Sequence, residues 1–385
     1  MVGFAGYDMP LSYDGPVGDN IAGGPVAEHH QVRKASGLFD VGHMVQSTFT
    51  GPGAFAFLSL LLPASLASLP IPKSSSDAYG ASLSALLTPE GGIIDDCMIT
   101  RWGDQSFYLV TNAGRAERDM AWIKLNVSRW NESHSDAEQV NFDILSNWGL
   151  IALQGPTSHL ALARLLPPSI SLSTLTFSQS LHIKIPSLPS SPTLHVARLG
   201  YTGEDGFEIS IPTDLSATEV LAQMLLDQPE VKLAGLAARD SLRLEAGLCL
   251  YGHDLDEGTG IGEAGLNWIV GKDRRTPGAF IGAERTLAEL KKGGTSRKRT
   301  GLIVEKGPPA REGAKIFSAD GATEIGVVTS GLPSPSLAKN ISMGYIQTKD
   351  GLNKKGTQVL VEVRKKMRNA EVVGMPFQPA GYYRG

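Results

Sequence analysis

Up to the stretch Gly293-Gly294-Thr295-Ser296, the apolar positions of this chain alternate between two rhythms; beyond it only one remains. Val-, Ile-, Phe-, Tyr- and Thr-rich runs over 36–52 and 92–112 predict strands. Phe107-Tyr108-Leu109-Val110-Thr111-Asn112 is almost continuously apolar, and Leu150-Ile151-Ala152-Leu153-Gln154 is closed by the turn pair Gly155-Pro156. Between them, Met120, Ile123 and Val127 recur at helical spacing and predict a helix over Ala116–Val127. Helices are also expected over Ser158–Leu166, Leu215–Leu226, Leu236–Leu250 (with Gly247 as a stop signal) and Leu287–Lys292. The Ser- and Pro-rich stretch Pro167–Thr193 reads as a long, largely mobile surface excursion, interrupted by strand-like alternation in Leu181-His182-Ile183-Lys184-Ile185. Past the Gly/Ser linker come short β-like runs with glycine turns, among them Gly301–Val304, Ile325–Val328 and Val359–Val363. They predict a small barrel or sandwich. The pattern alone therefore gives an α+β fold followed by an all-β domain.

Composition narrows the classes. A chain of 385 residues, 42% hydrophobic and 19% charged, has room for two or three domains. A net charge of −4 offers no global basic field, so no nucleic-acid partner is expected. The most apolar segment, Ala54 to Leu69, is broken by Pro63 and too short to span a bilayer, so no membrane role is expected. Cys97 and Cys249 sit in apolar contexts and read as small buried hydrophobes rather than a disulfide framework. Adjacent His29 and His30 are poorly placed for one metal, and no CxxC pair occurs, so no metal is expected.

The densest candidate chemistry is Gly91-Gly92-Ile93-Ile94-Asp95-Asp96. A double glycine permits a sharp turn or a close backbone approach. In the strand that follows, neighbouring side chains point to opposite faces, so one of the two acids is forced inward and needs partners or a task. A turn-stabilising Asp with a salt bridge is the other reading, because structural ion pairs perturb carboxylates too. A glycine-punctuated acidic loop, Gly200-Tyr201-Thr202-Gly203-Glu204-Asp205-Gly206-Phe207-Glu208, leads into Ile209-Ser210-Ile211. In Ala237-Ala238-Arg239-Asp240-Ser241-Leu242-Arg243, Asp240 is expected to cap a helix and leave Arg239 aimed at an anion. Arg243, one turn on, reads as a salt-bridge partner.

These segments, with Phe39-Asp40-Val41-Gly42-His43-Met44, Thr329-Ser330-Gly331, Met375-Pro376-Phe377 and Tyr382-Tyr383, occur in an order and spacing that resembles the aminomethyltransferase (T-protein) family of the glycine cleavage system, in its eukaryotic, fungal-like mitochondrial type. The resemblance runs from Met1 to Arg384. It implies a three-domain α+β arrangement: two ferredoxin-like, split α+β domains and a C-terminal β-barrel-like domain. The first folate-binding domain would be discontinuous, 1–45 with 147–250. The second would be 46–146 with 251–290, and the barrel 297–385. The implied reaction moves the methylene carbon of an aminomethyl group on the lipoyl arm of the H protein to tetrahydrofolate. Ammonia leaves and the arm is released as the dithiol. Tetrahydrofolate is thus a co-substrate, the lipoylated H protein a partner, and the mitochondrial matrix the location. The chain opens at a point that resembles the interior of the family's first segment, so a truncated chain or a downstream start is expected, with no transit peptide in view.

Residue by residue, the resemblance makes Asp96 the catalytic carboxylate, with Asp95 structural. Glu208 would read the amino edge of the pterin, which a carboxylate can do through paired charge-assisted bonds. Asn112, Tyr201, Arg239, Trp268 and Tyr382 would contact the folate. Core packing is the competing reading for Trp268, and a disordered terminus for Tyr382. Three positions depart from the family pattern: Gly42 for a common Ser, Leu83 for a ring-contacting Tyr of bacterial members, and Gly260-Ile261-Gly262 for a Thr-Pro-containing turn. Lys272, Arg274 and Arg275, with Lys291, Lys292, Arg297, Lys298 and Arg299, form clusters that could steer an acidic H protein or simply face solvent. Other readings stand beside the transferase. A folate-binding iron–sulfur cluster maintenance relative would carry a Lys-Gly-Cys-Tyr-type motif, where this chain has Gly247-Leu248-Cys249-Leu250-Tyr251. A dimethylglycine- or sarcosine-type dehydrogenase needs a flavin fingerprint that is missing from the sequence. A non-catalytic folate-binding protein would have no need of Asp96.

Overall fold

The computed structural model describes residues 1–14, 20–72, 77–212 and 215–385. An 11-stranded sheet runs through its first two-thirds. In spatial order the strands are Val231–Leu233, Ser36–Asp40, Gly149–Gln154, Gly206–Ile211, Thr193–Ala197 and Gln179–Lys184, then Tyr79–Leu87, Ile93–Arg101, Ser106–Thr111, Val45–Thr50 and Asn141–Ile144. The ladders of the two groups are joined where Gln179 pairs with Gly80 and Ser180 with Tyr79. All neighbours are antiparallel except Val231–Leu233 on Ser36–Asp40. The two split sheets that the resemblance implies are thus joined edge to edge.

Beyond that join the two halves face each other. Tyr108 and Val110 of one half pack with Leu150 and Ala152 of the other, and the Tyr108 hydroxyl meets Ser210 Oγ at 2.6 Å. This explains the nearly continuous apolar runs. Leu150 and Ala152 face the inner layer, while their neighbours Ile151 and Leu153 face an outer core under helices Ser158–Ala163 and Leu215–Leu226. The other half is covered by helices Ala54–Leu61 and Ala116–Ser133, which bury Phe57, Leu58, Leu61, Trp122 and Ile123 against Phe49, Ile99 and Phe107. The helix at Ala54 stops before Pro63, with Leu62 in an extended conformation.

The Pro167–Thr193 excursion is more ordered than its composition suggests. Leu172, Leu175, Leu181, Ile183, Ile185 and Leu188 all enter the outer core, and Gln179–Lys184 is a sheet strand. Its apolar residues outweigh the intervening serines and prolines once a hydrophobic surface lies beneath.

After the linker, six strands close a barrel in the order Arg297–Val304, Lys339–Gln347, Glu324–Ser334, Lys315–Phe317, Gln358–Val363, Lys366–Val373. Leu302, Val328, Ile346, Val361 and Val372 fill it. Two buried acids fasten the barrel to the rest. Asp254 accepts from Arg243 Nη1 at 2.7 Å and Ser330 Oγ at 3.0 Å, and its carbonyl accepts from the Tyr345 hydroxyl at 2.7 Å. Glu245 accepts from Ser334 Oγ, the Ser336 amide and Ser336 Oγ. Among the described residues no helix is long and apolar enough to cross a membrane.

Candidate functional site

The turn ahead of the acid pair is built for glycine. Gly91 has φ +81, and a Cβ on Gly92 would meet the Glu257 carbonyl oxygen at 1.8 Å. That close approach lets the loop after Tyr251 lie on the turn, where Ile93 N donates to Thr259 O at 3.0 Å. Gly260-Ile261-Gly262 is fixed in the same region. Gly262 N donates to Glu289 Oε2 at 2.7 Å, and a Cβ on Gly260 would sit 2.1 Å from Glu289 Oε1.

In the strand Ile93–Arg101 the two acids diverge as alternation requires. Asp95 is fully buried and Asp96 half-buried, lining a cavity of 1780 Å³. Asn112 ties them together. Its amide N donates to Asp95 Oδ2 at 2.9 Å, and its Nδ2 donates to Asp95 Oδ1 at 2.9 Å and Asp96 Oδ1 at 3.0 Å. Burial first, and the neighbouring Asp95 second, push the Asp96 carboxyl up to about 7, with the Asn112 hydrogen bond pulling the other way. Asp96 is thereby poised to change protonation state near neutral pH, as a general acid–base or hydrogen-bonding group must be.

The same cavity is lined by Asn112, Tyr201, Glu208, Arg239, Trp268 and Tyr382. The sequence separates these residues widely; the fold gathers them. Tyr201 leaves the acidic loop, whose shape rests on a buried Arg198–Asp205 ion pair with Nε–Oδ1 at 2.8 Å. The Tyr201 hydroxyl donates to the Cys249 carbonyl, and the Arg239 guanidinium lies 4.8 Å from its ring centre. Arg239 Nη1 is buried with no hydrogen-bond acceptor. Burial raises the Glu208 carboxyl, and Arg239 opposes the shift. Among the described residues the Glu208 carboxylate has no hydrogen-bond donor of its own, so a donor pair and an acceptor are both wanted here. Trp268 is 64% exposed, so the core-packing reading fails for it: it stands on the cavity rim. Tyr382 is anchored, its ring stacked on Phe177 at 4.1 Å and the adjacent Gly381 amide bonded to Gly203 O. Leu83 lines the apolar wall with Met44 and Met98.

Several expectations need correction. The helix carrying Arg239 starts at Leu236, so Asp240 lies inside it and pairs with Arg243 instead of capping it. The helix stops at Glu245, five residues short of the sequence reading, because Gly247 takes φ +69. Four arginines of the charge clusters are occupied internally. Arg274 donates to the carbonyls of Ser59 and Ala279, Arg275 to those of Asn267 and Val270, Arg297 to Glu263, and Arg299 to those of Ala264 and Gly247. Lys272, Lys291 and Lys292 remain exposed.

Sequence reading passed over four residues of consequence. His43, under Phe4 at the cavity wall, is held down to about 4 by burial and Arg239, so it is neutral at physiological pH. Asp254 and Glu245 hold the barrel. Asp119 is fully buried behind Asp95. Its signal was present: an acid one turn before Ile123, on the apolar stripe of its helix.

Comparison with known proteins bears on the family and the fold. Residues 1–274 match the family model described as the GCVT N-terminal domain, and residues 297–378 the glycine cleavage T-protein C-terminal barrel domain. The chain is 43% identical over 384 residues to a probable mitochondrial aminomethyltransferase of Schizosaccharomyces pombe, covering 100% of this chain and 90% of that one. It is 40% identical over 385 residues to the mitochondrial aminomethyltransferase of Homo sapiens, covering 100% and 87%. The crystal structure of glycine cleavage system aminomethyltransferase T from Bartonella henselae superposes with a TM-score of 0.84 at 36% identity, over 100% of this chain and 95% of that one. By sequence over its whole length, by fold and by its barrel, this chain belongs to the aminomethyltransferase (glycine cleavage T-protein) family of transferase enzymes.

Proposed function

We propose that this chain transfers the methylene carbon of an aminomethyl group, carried on the lipoyl arm of an H protein, to tetrahydrofolate, releasing ammonia and the dihydrolipoyl carrier. The observation that carries this reading is one cavity lined by an acid that burial raises to about 7, by the Glu208 carboxylate and by a buried guanidinium N–H with no acceptor. The folate pterin would place its amino-edge donors on Glu208 and its flat face against Tyr201 and Trp268. Arg239, with a buried N–H group to give, would take an acceptor or carboxylate of the same ligand. Asn112 spends its amide hydrogens on the acid pair, which leaves its carbonyl oxygen for a ligand. Asp96 would accept a hydrogen bond from the reacting nitrogen region and stabilise positive charge as it develops there. Tyr382 would close the far wall.

The cavity is large enough for a second guest, and its rim carries Lys298, Lys355 and Arg384. These cations and the exposed Lys272, Lys291 and Lys292 would favour an acidic carrier protein. The mitochondrial names of the relatives support a matrix location. The proposed domains are 1–45 with 147–250, 46–146 with 251–290, and 297–385. The packing of Ala85, Leu87 and Ile93 with Leu255, Ile261 and Phe280 supports the assignment of 251–290 to the second domain.

The test is a reconstituted reaction of aminomethylated H protein with tetrahydrofolate, following methylene-tetrahydrofolate and ammonia. Asp96→Asn is expected to nearly abolish turnover while tetrahydrofolate binding changes less than about threefold, because the carboxylate acts mainly in the transition state. Full turnover by Asp96→Asn would refute the assignment, and a wild-type chain that binds folate without turnover would favour the non-catalytic reading.

A further inference from the structure

We propose that His195 holds a water molecule in a buried chamber behind Glu208, and that this water positions the Glu208 carboxylate for the folate. The inference rests on the reading of Glu208 as the carboxylate that meets the pterin.

A chamber of 10 Å³ lies between the two half-sheets, about the room that one water needs. It adjoins the large cavity: Met98, Val110, Leu199 and Glu208 line both, and of these Glu208 alone is polar. Strand register places the polar groups of the chamber. His195 lies opposite Ser210, and Ala197 opposite Glu208, on the antiparallel strands Thr193–Ala197 and Gly206–Ile211. His195, Ser210 and Glu208 thus share the inner face of the sheet, with Glu208 on the diagonal from His195. Diagonal neighbours stand about 7–8 Å apart, a span that two long side chains and one water can bridge.

His195 is 2% exposed, and among the described residues neither of its ring nitrogens has a hydrogen-bond partner. An imidazole used for packing alone would leave both nitrogens buried and unpaired, which is costly. Its ring meets other rings, with centres 5.3 Å from Trp102, 4.8 Å from Tyr108 and 5.5 Å from His182. The hydroxyl protons beside it are already spent. Tyr108 donates to Gln46 Oε1 at 2.8 Å, so the 2.6 Å contact between Tyr108 and Ser210 uses the Ser210 proton. Neither hydroxyl has a proton left for Glu208. Burial holds the His195 ring down to about 3, so it is neutral at physiological pH and keeps one N–H. A water in the chamber can accept from that N–H and donate to a Glu208 oxygen and to a free lone pair of Ser210. Three bonds are the usual number for a buried water. The charged and titratable groups that face Glu208 from other elements are Arg239, on helix Leu236–Glu245, and Tyr108, on Ser106–Thr111; Asp96 and Tyr201 share the large cavity with it. Arg239 lines that cavity and not the chamber, so it and the water act on the carboxylate from different sides.

His195→Phe in the full-length chain keeps an aromatic ring in the packing and removes both nitrogens. Tetrahydrofolate binding is then followed by calorimetry as a function of pH. Losing a donor to the ionised form raises the Glu208 carboxyl, so the acid limb of the binding profile should move upward by about one pH unit. Affinity on the acid side should fall about tenfold, and the alkaline plateau should hold. His195→Gln, which keeps a donor and an acceptor, should restore the limb. A limb left in place by His195→Phe, or an equal loss of affinity at every pH, overturns the positioning role. Glu208→Gln separates the two readings: a limb that survives it belongs to another group, and strikes the pterin role of Glu208 and the positioning role with it. The water has a readout of its own. A crystal structure of the wild-type chain, at a resolution that shows ordered solvent, should place a water within hydrogen-bond distance of a His195 nitrogen and a Glu208 oxygen. A dry chamber overturns the proposal whether or not the variants fold, and leaves the transferase reading untouched.

Discussion

Glu245→Gln removes one charge from the junction of three elements, and its cost can be worked from the contacts. The Glu245 carboxylate is fully buried at the end of helix Leu236–Glu245. It accepts from Arg33 Nη2 at 2.8 Å, Arg33 Nε at 3.2 Å, Ser336 Oγ at 2.7 Å, the Ser336 amide at 3.1 Å and Ser334 Oγ at 2.5 Å, with His29 Nε2 at 3.3 Å. Burial alone would raise its pKa; the hydrogen bonds from His29 and Ser334 outweigh it and bring the group to about 2, from an ordinary value of 4.5. A gap of about 2.5 units corresponds to about 3 kcal/mol at neutral pH. The sign follows from the depression: this stability is fully present above pH 4.5 and is lost as pH falls toward 2. Glutamine keeps the shape but turns a donor toward donors, so a loss of about 3–5 kcal/mol is expected at pH 7. A three-part chain does not unfold in one step, so a local measurement is the appropriate one. Hydrogen exchange of a peptide covering Ser334–Leu337 should accelerate at least about 100-fold at pH 7, since about 1.4 kcal/mol is a factor of ten. Between pH 5 and 3.5 the gap between wild type and variant should narrow by about tenfold. Unchanged protection at pH 7, or a gap that stays constant over that acid range, would refute the claim that Glu245 clamps the barrel through its charge.

Two further outcomes concern the cavity. Asn112→Ala removes the 3.0 Å donor to Asp96, and a hydrogen bond to a charged group is worth about 1.5–3 kcal/mol, so the acid limb of the pH–rate profile should move upward by about 1–2 units; a limb that stays put or moves to lower pH contradicts the role given to Asn112. Glu208→Ala should weaken tetrahydrofolate binding by about 2–4 kcal/mol in calorimetry, and an unchanged dissociation constant would remove Glu208 from the pterin subsite.

Much of this site was legible because its residues break local rules. Two acids in a β-branched run, or an acid at the end of a glycine-rich loop, have no local purpose and so mark chemistry. The barrel was legible from turn spacing, since hairpins write their signals into a few consecutive residues. What escaped depends on distant partners. Nothing near Asp254 and Glu245 in the sequence announces the Arg243, Ser330, Ser334 and Arg33 side chains that reach them from elsewhere in the chain. The clusters around Arg274 and Arg297 read as surface charge for the opposite reason: the carbonyls and the Glu263 carboxylate that occupy them leave no mark in the nearby sequence. The join between the half-sheets involves two residue pairs and leaves no pattern at all.

The strand order also has a consequence for synthesis. Val45–Thr50, Tyr79–Leu87, Ile93–Arg101, Ser106–Thr111 and Asn141–Ile144 form one half-sheet from a continuous piece of chain. The other half starts earlier, at Ser36–Asp40, yet its edge partner Val231–Leu233 is made almost 200 residues later. On a ribosome the segment that begins first must wait, while the five strands nested within it have one another as sheet partners and lack the packing of 251–290. The strand ladder that sets the acid pair beside Asn112 can therefore form before Glu208 and Arg239 have been synthesised. The half of the cavity that carries Glu208 and Arg239 assembles against that sheet, and the barrel arrives last to latch it.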